Sequence, residues 1–344
     1  MNFIYLLILL TSLTSASAAA LHNKELFFTA AIQDRPEFIK KYLAAGGIVD
    51  TFDKFQRTPL MHAAQHGHIQ ACKELISQGA DIELKDLQGK TALIWASWSG
   101  YPDVVQLFIE KGADINVRDA QGYNAFFWAV KRNYQTAAIA LLQQGSEVNI
   151  SNIYGITPLI MSIQRRYLTL AQTLIQSGVD PNLTDNHGRT ALSYAIKLGY
   201  KNMETLLLAQ SRIAQVRDIE GHTLLHTAAL NGRADLINTL LIKQVDINAV
   251  TRSGNNALML ATYNKHKTVM RILMSQGSKL NEANKLGNTA LHLAVQTGDE
   301  QVVFELIKAG IKHHVRNKSD EKPIDIARNK KFPSIVLLLQ KLDH

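Results

Sequence analysis

The stretch TPLMHAAQHGH, residues 58–68, carries three imidazoles, His62, His66 and His68. An H-x3-H spacing puts two ring nitrogens on one face of a helix, the arrangement by which zinc hydrolases hold their metal. That chemistry also needs a glutamate directly after the first histidine to act as general base, and at least one further ligand. Here Ala63 follows His62, and the stretch holds no Asp, Glu or Cys. The chain has one cysteine, Cys72, so neither an intramolecular disulfide nor a cysteine-rich zinc site can form. No G-x-S-x-G elbow, P-loop or dinucleotide fingerprint is present.

The elements that position these histidines repeat. TPLMHAAQ from Thr58 is followed by TALIWASW from Thr91, NAFFWAVK from Asn124, TPLIMSIQ from Thr157 and TALSYAIK from Thr190. TLLHTAAL from Thr223, NALMLATY from Asn256, TALHLAVQ from Thr289 and KPIDIARN from Lys322 continue the series, every step being 33 residues without insertion. ELFFTAAI from Glu25 is a degenerate first copy. Thr or Asn at the head of a copy can cap a helix, and Pro59, Pro158 and Pro323 sit at the first helical position, where a missing N–H costs nothing. Small residues in mid-helix, such as Ala63, Ala96 and Ala129, let helices approach closely. Gly67 or Gly100 then stops the helix. A second apolar helix ends at Gly79, Gly112 or Gly145, and a turn such as DLQGKT, 86–91, leads into the next copy.

These residues resemble the ankyrin repeat, whose length is 33 and whose signature is T-P-L-H-x-A. The resemblance covers about residues 24–340, and the signature histidine survives at His226 and His292. It implies an all-α solenoid of helix–turn–helix units joined by β-hairpin-like turns. The expected layout is a degenerate first repeat over 24–52 and strong repeats starting near 56, 89, 122, 155, 188, 221, 254 and 287. A capping repeat over 320–344 closes the repeat domain of 21–344. Ser211 and Gln244 replace the loop glycine in two successive repeats, so a local irregularity is expected at 209–216.

Aligned columns reassign the histidines. His62 shares its position with Trp95, Trp128, Met161, Tyr194, Thr227, Leu260, Leu293 and Ile326, a mostly large and apolar set that belongs in a core. His68 falls in a column of planar rings with polar tips, among them Tyr101, Tyr134 and Tyr167. His66 falls in a variable, outward-looking column. Cys72 aligns with Val105, Ala138 and Ile237, which marks a buried structural thiol. His313-His314 lies in a loop between repeats, and the sequons at Asn149, Asn182 and Asn317 coincide with loop positions. No catalytic, metal or cofactor residue is therefore expected, and the protein is expected not to be an enzyme.

Residues 1–20, MNFIYLLILLTSLTSASAAA, carry an apolar run too short to span a bilayer, followed by A-x-A motifs ending at Ala18 and Ala20. They are expected to form a secretory signal peptide cut after residue 18 or 20, which implies a periplasmic or secreted protein. No later segment is long and apolar enough for a transmembrane helix. The formal net charge is +8 and the isoelectric point about 9.4. Ankyrin domains typically bind through their hairpin tips and inner helices. On those positions stand Lys54, Arg57, Lys90, Lys131, Arg132, Arg165, Arg189, Lys197, Arg252, Lys285, Lys318 and Lys330, against only Glu220 and Glu321. The other 25 of 37 basic and 27 of 29 acidic residues nearly cancel, so the positive excess is confined to this surface. Phe55, Trp98, Tyr123, Tyr154 and Tyr263 share it, and aromatic and arginine side chains are the usual anchors of interfaces.

The expected function is an exported, monomeric scaffold that binds an acidic protein through a basic, aromatic-dotted concave face, with His66 among the contacts. The alternative is a secreted effector acting on a host protein. Nucleic acid is not an expected partner, because no nucleic-acid module accompanies the charge.

Overall fold

The computed structural model of the protein describes residues 23–210 and 216–342. The expected signal peptide, 1–20, and Ser211 lie outside the described residues. The described chain forms twenty α-helices and one isolated bridge, Thr184 with Thr190. Contacts group it into two compact units, one ending at Val179 and one beginning at Asp180. Among the described residues no helix is long and apolar enough to cross a membrane.

The first unit holds five helix pairs: Lys24–Ile32 with Pro36–Ala44, Pro59–His66 with Ile69–Ser77, Ala92–Ser99 with Pro102–Glu110, Ala125–Lys131 with Gln135–Gln143, and Pro158–Gln164 with Leu168–Gln176. The second unit holds five more: Ala191–Leu198 with Lys201–Gln210, Leu224–Leu230 with Ala234–Ile242, Ala257–Tyr263 with Lys267–Ser275, Ala290–Thr297 with Glu300–Lys308, and Pro323–Asn329 with Pro333–Gln340. In each unit the first, inner helix of a pair packs on its partner and on the inner helix of the next pair. This is the nearest-neighbour stacking of a helix–turn–helix repeat.

Sequence chemistry sets the ends of the inner helices. The Thr58 hydroxyl accepts from the Met61 amide at 3.2 Å and the Asn124 carboxamide from Phe127 at 2.8 Å. Losing such a cap costs about 1 kcal/mol. At the other end every copy turns through a left-handed residue. Gly67, Gly100, Gly199, Gly232 and Gly298 take it, but so do Asp34, Asn133, Arg166, Lys265 and Lys331. At Gly67 and Gly100 a second demand adds to the first: a Cβ there would lie 2.4 and 2.5 Å from the rings of Tyr101 and Tyr134. The ring column thus packs on the glycine of the preceding repeat. Its polar tips bond to that repeat's last carbonyls, as His68 does with Ile32 at 2.7 Å and His266 with Leu230 at 3.0 Å.

The loop after the outer helices behaves the same way. Gln244 adopts φ 63° where other repeats have glycine, so the turn keeps its shape at the cost of about 1 kcal/mol. In the second unit Arg233 replaces a ring of the packing column. Its guanidinium grips the buried Glu204 carboxylate, reaches Asp235 at 2.8 Å and holds the Ile196 carbonyl at 3.4 Å. The core is built from the mid-helix alanines, with Ala63, Ala96, Ala129, Ala195 and Ala228 fully enclosed beside Phe27, Phe108, Phe126 and Phe127. Each large side chain buried in this way contributes roughly 1.5–3 kcal/mol.

The two signature histidines are structural. His226 Nδ1 accepts from the Thr223 amide at 3.1 Å, and its Nε2 meets the Asn255 carbonyl of the next repeat at 3.2 Å. His292 repeats the arrangement with Thr289 and Glu321. Burial, seconded by His222, depresses the His226 imidazole from 6.5 to about 4. The unfolded chain therefore takes up this proton before the folded one as pH falls. The stability His226 contributes is intact above pH 6.5 and is lost progressively on the way down to about pH 4. At about 1.36 kcal/mol per unit the loss approaches roughly 3 kcal/mol. Hydrogen exchange in Leu224–Leu230, corrected for intrinsic rates, should speed up between pH 7 and pH 5. His226→Met, the residue type at 61 and 259, should flatten that dependence; an equal pH response in both proteins would refute the assignment.

Candidate functional site

The turns between repeats form fingers, and one side chain organises each. Asp86 Oδ1 accepts from the amides of Gln88 at 2.8 Å and Lys90 at 2.9 Å. Asp53, Asp119, Asn152, Asp185, Asp218, Asn284 and Asn317 make the same pair of bonds in their own fingers, whereas Thr251 makes one, to Asn255. Successive fingers are laced by single backbone bonds. The Leu87 amide donates to Phe55 and Ala120 to Gln88 in the first unit, and Arg252 donates to Glu220 and Lys285 to Ser253 in the second.

The second carboxylate oxygen reaches down to the inner helix. Asp86 Oδ2 accepts from Trp95 Nε1 at 3.0 Å, Asp119 from Trp128 at 2.7 Å and Asp185 from the Tyr194 hydroxyl at 2.7 Å. Asp53 meets His62 Nε2 at 3.0 Å. Most of the expected core column is buried, and its ring members His62, Trp95, Trp128 and Tyr194 in addition carry a polar tip that faces the loop carboxylate. Burial would raise the Asp53 carboxyl, yet the amides of Arg57 and Phe55, the His62 ring and the Arg57 guanidinium together hold it at about 2. Asp185 is lowered by the same kind of cradle, again against the pull of burial.

The carboxylate-held rings carry cations. In the first unit the Lys90 ammonium stands 4.6 Å from the Trp95 ring and 4.8 Å from Trp128. Lys131 lies 4.2 Å from Trp128 and 4.1 Å from Tyr123, and Arg132 lies 4.2 Å from Trp98. Arg57 covers Phe55 at 5.2 Å and Trp95 at 5.8 Å. Such contacts are worth about 0.5–2 kcal/mol each, more as water is excluded. Burial lowers the Lys90 pKa, with Asp119 and Asp86 pulling it back up.

The fourteen expected contact residues divide by this geometry. Lys90 and Tyr123 are only 7 % and 4 % exposed, so they are packed within the unit rather than presented on its surface. Arg57, Trp98, Lys131 and Arg189 are half-buried, three of them in the stacks above and Arg189 over Tyr194 at 5.0 Å. Phe55, His66, Arg132, Tyr154, Arg165, Lys197, Arg252 and Tyr263 are exposed. Tyr154, Tyr263 and Phe55 present 63 %, 55 % and 49 % of their surface to solvent. Exposed Leu87 and Ile153 join the finger tips of the first unit. Sequence does not single them out, because one apolar side chain at a turn is ordinary until its neighbours line up.

The opening histidines take three separate partners. His62 bonds to Asp53, His66 Nδ1 to the His62 carbonyl at 2.9 Å, and His68 to Ile32. Among the described residues no group of three or more His, Cys, Asp or Glu side chains is placed to share a metal ion. Cys72 is fully buried and its thiol is pushed up to about 12, first by burial and then by Asp34, which suits a packing residue and not a nucleophile.

A family model described as "Ankyrin repeats (3 copies)" matches residues 27–119, 111–185, 159–251 and 225–317. No curated protein matches the chain.

The loop carboxylate is the joint of the site, and its removal should show it. Asp86→Ala leaves two finger amides and the Trp95 indole without their acceptor and should destabilise the first unit by about 2–4 kcal/mol. Asp86→Asn keeps the acceptor for the amides and should cost about half as much. Urea unfolding followed by tryptophan fluorescence measures both; equal, negligible losses would mean that the ring column stands without the carboxylate.

Proposed function

The chain belongs to the ankyrin-repeat family, whose stacked repeats act as protein-binding scaffolds and are typically not enzymes, and from that premise we propose that it captures an acidic protein partner on its finger tips and inner helices. The observation that carries this reading is the run of exposed basic side chains on those positions. Arg165, Lys197, Arg252, Lys285, Lys318 and Lys330 all stand in solvent. Solubility alone does not call for one sign of charge on one surface. Exposed Phe55, Tyr154 and Tyr263 supply the aromatic anchors that typically dominate an interface. The mechanism is recognition by a pre-formed surface, with long-range attraction raising the rate of encounter and the aromatic side chains slowing release.

Export is part of the proposal and rests on the apolar run and A-x-A motifs of residues 1–20. It places the protein in a periplasm or outside the cell. Fractionation of producing cells separates a resident scaffold from an effector released to act on a host: retention in the periplasm sinks the effector reading.

Capture of the native partner should weaken sharply between 50 and 500 mM salt, because the Debye length shrinks from roughly 14 to 4 Å. Arg165→Glu combined with Arg252→Glu should lower the affinity about tenfold, mostly through the association rate. Binding kinetics on immobilised protein read both effects. Salt-insensitive capture that also ignores the double reversal would remove the charged surface from the mechanism.

A further inference from the structure

In the first unit a cation at the finger base has two rings. Lys90 lies between Trp95 of its own repeat and Trp128 of the next. Arg189 is the equivalent residue in the second unit, 99 positions further on, and it covers Tyr194 of its own repeat at 5.0 Å. The next-repeat ring is missing there. Thr227 stands in that column, and its hydroxyl turns back to donate to the Thr223 carbonyl at 3.3 Å. A notch of about 310 Å³ opens in its place between the inner helices Ala191–Leu198 and Leu224–Leu230. Tyr194 forms one wall, Leu224 and Leu230 supply apolar surface, and Arg189, Lys197 and His222 stand around it.

The charges around the notch are not equally free. The Arg189 guanidinium meets Asp185 at 3.0 Å, and His222 Nδ1 meets Asp218 at 3.0 Å. Asp185 is itself enclosed and already accepts from two amides and the Tyr194 hydroxyl, so little of its charge is left for a ligand. Lys197 is exposed, and among the described residues no ion pair or hydrogen bond engages its ammonium. The notch therefore combines a ring-sized interior, lined by Tyr194, Leu224 and Leu230 beside the polar Ser193, Thr227 and Asp218, with an exposed cation at its rim; the Asp218 carboxylate is taken up by two finger amides and His222.

We propose that this notch receives an aromatic side chain from the partner, flanked by carboxylates that Lys197 holds. The partner's ring takes the place that Trp128 fills within the first unit, completing the stack on Arg189. The inference deepens the acidic-partner reading and rests on it for the flanking charges, but the ring is argued independently, from the repeat's own geometry.

The test uses the ¹⁵N-labelled full chain and three synthetic peptides: Ac-Glu-Asp-Trp-Glu-Glu-NH2, the same peptide with Ala for Trp, and Ac-Gln-Asn-Trp-Gln-Gln-NH2. The acidic Trp peptide should shift the amides of Ser193, Thr227 and Asn231 and bind at least tenfold tighter than either control. Thr227→Trp fills the notch with the residue type found at 95 and 128, and should abolish those shifts while circular dichroism stays unchanged. Lys197→Glu, on an exposed position that leaves the fold alone, should weaken the acidic peptide tenfold and not the neutral one. Equal binding of the Ala and Trp peptides, unaffected by Thr227→Trp, overturns the notch and leaves the acid-preferring surface standing. Equal binding of the neutral and acidic Trp peptides overturns the role of Lys197. Absence of binding by all three overturns the notch and counts against the acidic-partner reading as well.

Discussion

A loop carboxylate shared between two backbone amides and a helix side chain is the contact on which the rest of the surface depends. A finger closes on two backbone bonds of its own, Asp86 to Lys90 and Gly89 to Asp86, but leaves the Gln88 and Lys90 amides without a backbone acceptor, and buried donors without partners cost free energy. Asp86 meets both demands at once: Oδ1 closes the turn, and Oδ2 fixes the Trp95 ring nine residues on. Finger and helix then move as one body. The ring's orientation follows from the carboxylate, and the place of each cation follows from the ring. Lys90 and Arg57 thus lie over a ring held by the buried Asp86, and Lys131 over one held by the buried Asp119.

The same economy explains which substitutions the repeat tolerates. Left-handed turns recur at fixed positions whatever residue stands there, and Arg166, Gln244 and Lys265 adopt them without displacing the helices that follow. The cost of about 1 kcal/mol each is spread over a stack in which repeats are held by their neighbours. Glycine meets a second demand where space and φ coincide, as at Gly100 beneath Tyr134. Arg233 shows the opposite bargain. It gives up ring packing, and it recovers the loss through the enclosed Glu204 carboxylate and a bond to the Ile196 carbonyl, one residue before the carbonyl that the ring tips take.

Much of this was legible in the sequence, because the 33-residue period carries the fold. Caps, helix pairs, stop glycines and the buried thiol all follow from residue types at fixed offsets. The carboxylate–ring bond was not legible. Asp86 and Trp95 fall in different columns, and each has a sufficient explanation alone, a turn former and a core residue. For the same reason Lys90 and Tyr123 are expected on the surface: their shared column stands at the finger base, where Arg57, Arg189 and His222 remain half-buried, and the adjoining rings of Trp95, Trp128 and Phe127 enclose these two further. Column statistics describe a position, whereas burial depends on what the neighbouring repeats place against it.

That dependence gives the two units different surfaces from one motif. In the first, cations lie on rings, partly desolvated and held in place, so they can meet a partner with little further loss of side-chain freedom. In the second, Lys197, Arg252 and Lys285 stand in water beyond any such ring. Mobile, hydrated charges contribute less to a finished interface and more to the field that draws a partner in. At one column the contrast is direct: Trp128 fills the place beside Lys90, whereas Thr227 leaves an opening beside Arg189. How firmly a basic side chain of this chain is held therefore depends on whether the next repeat supplies a ring beneath it.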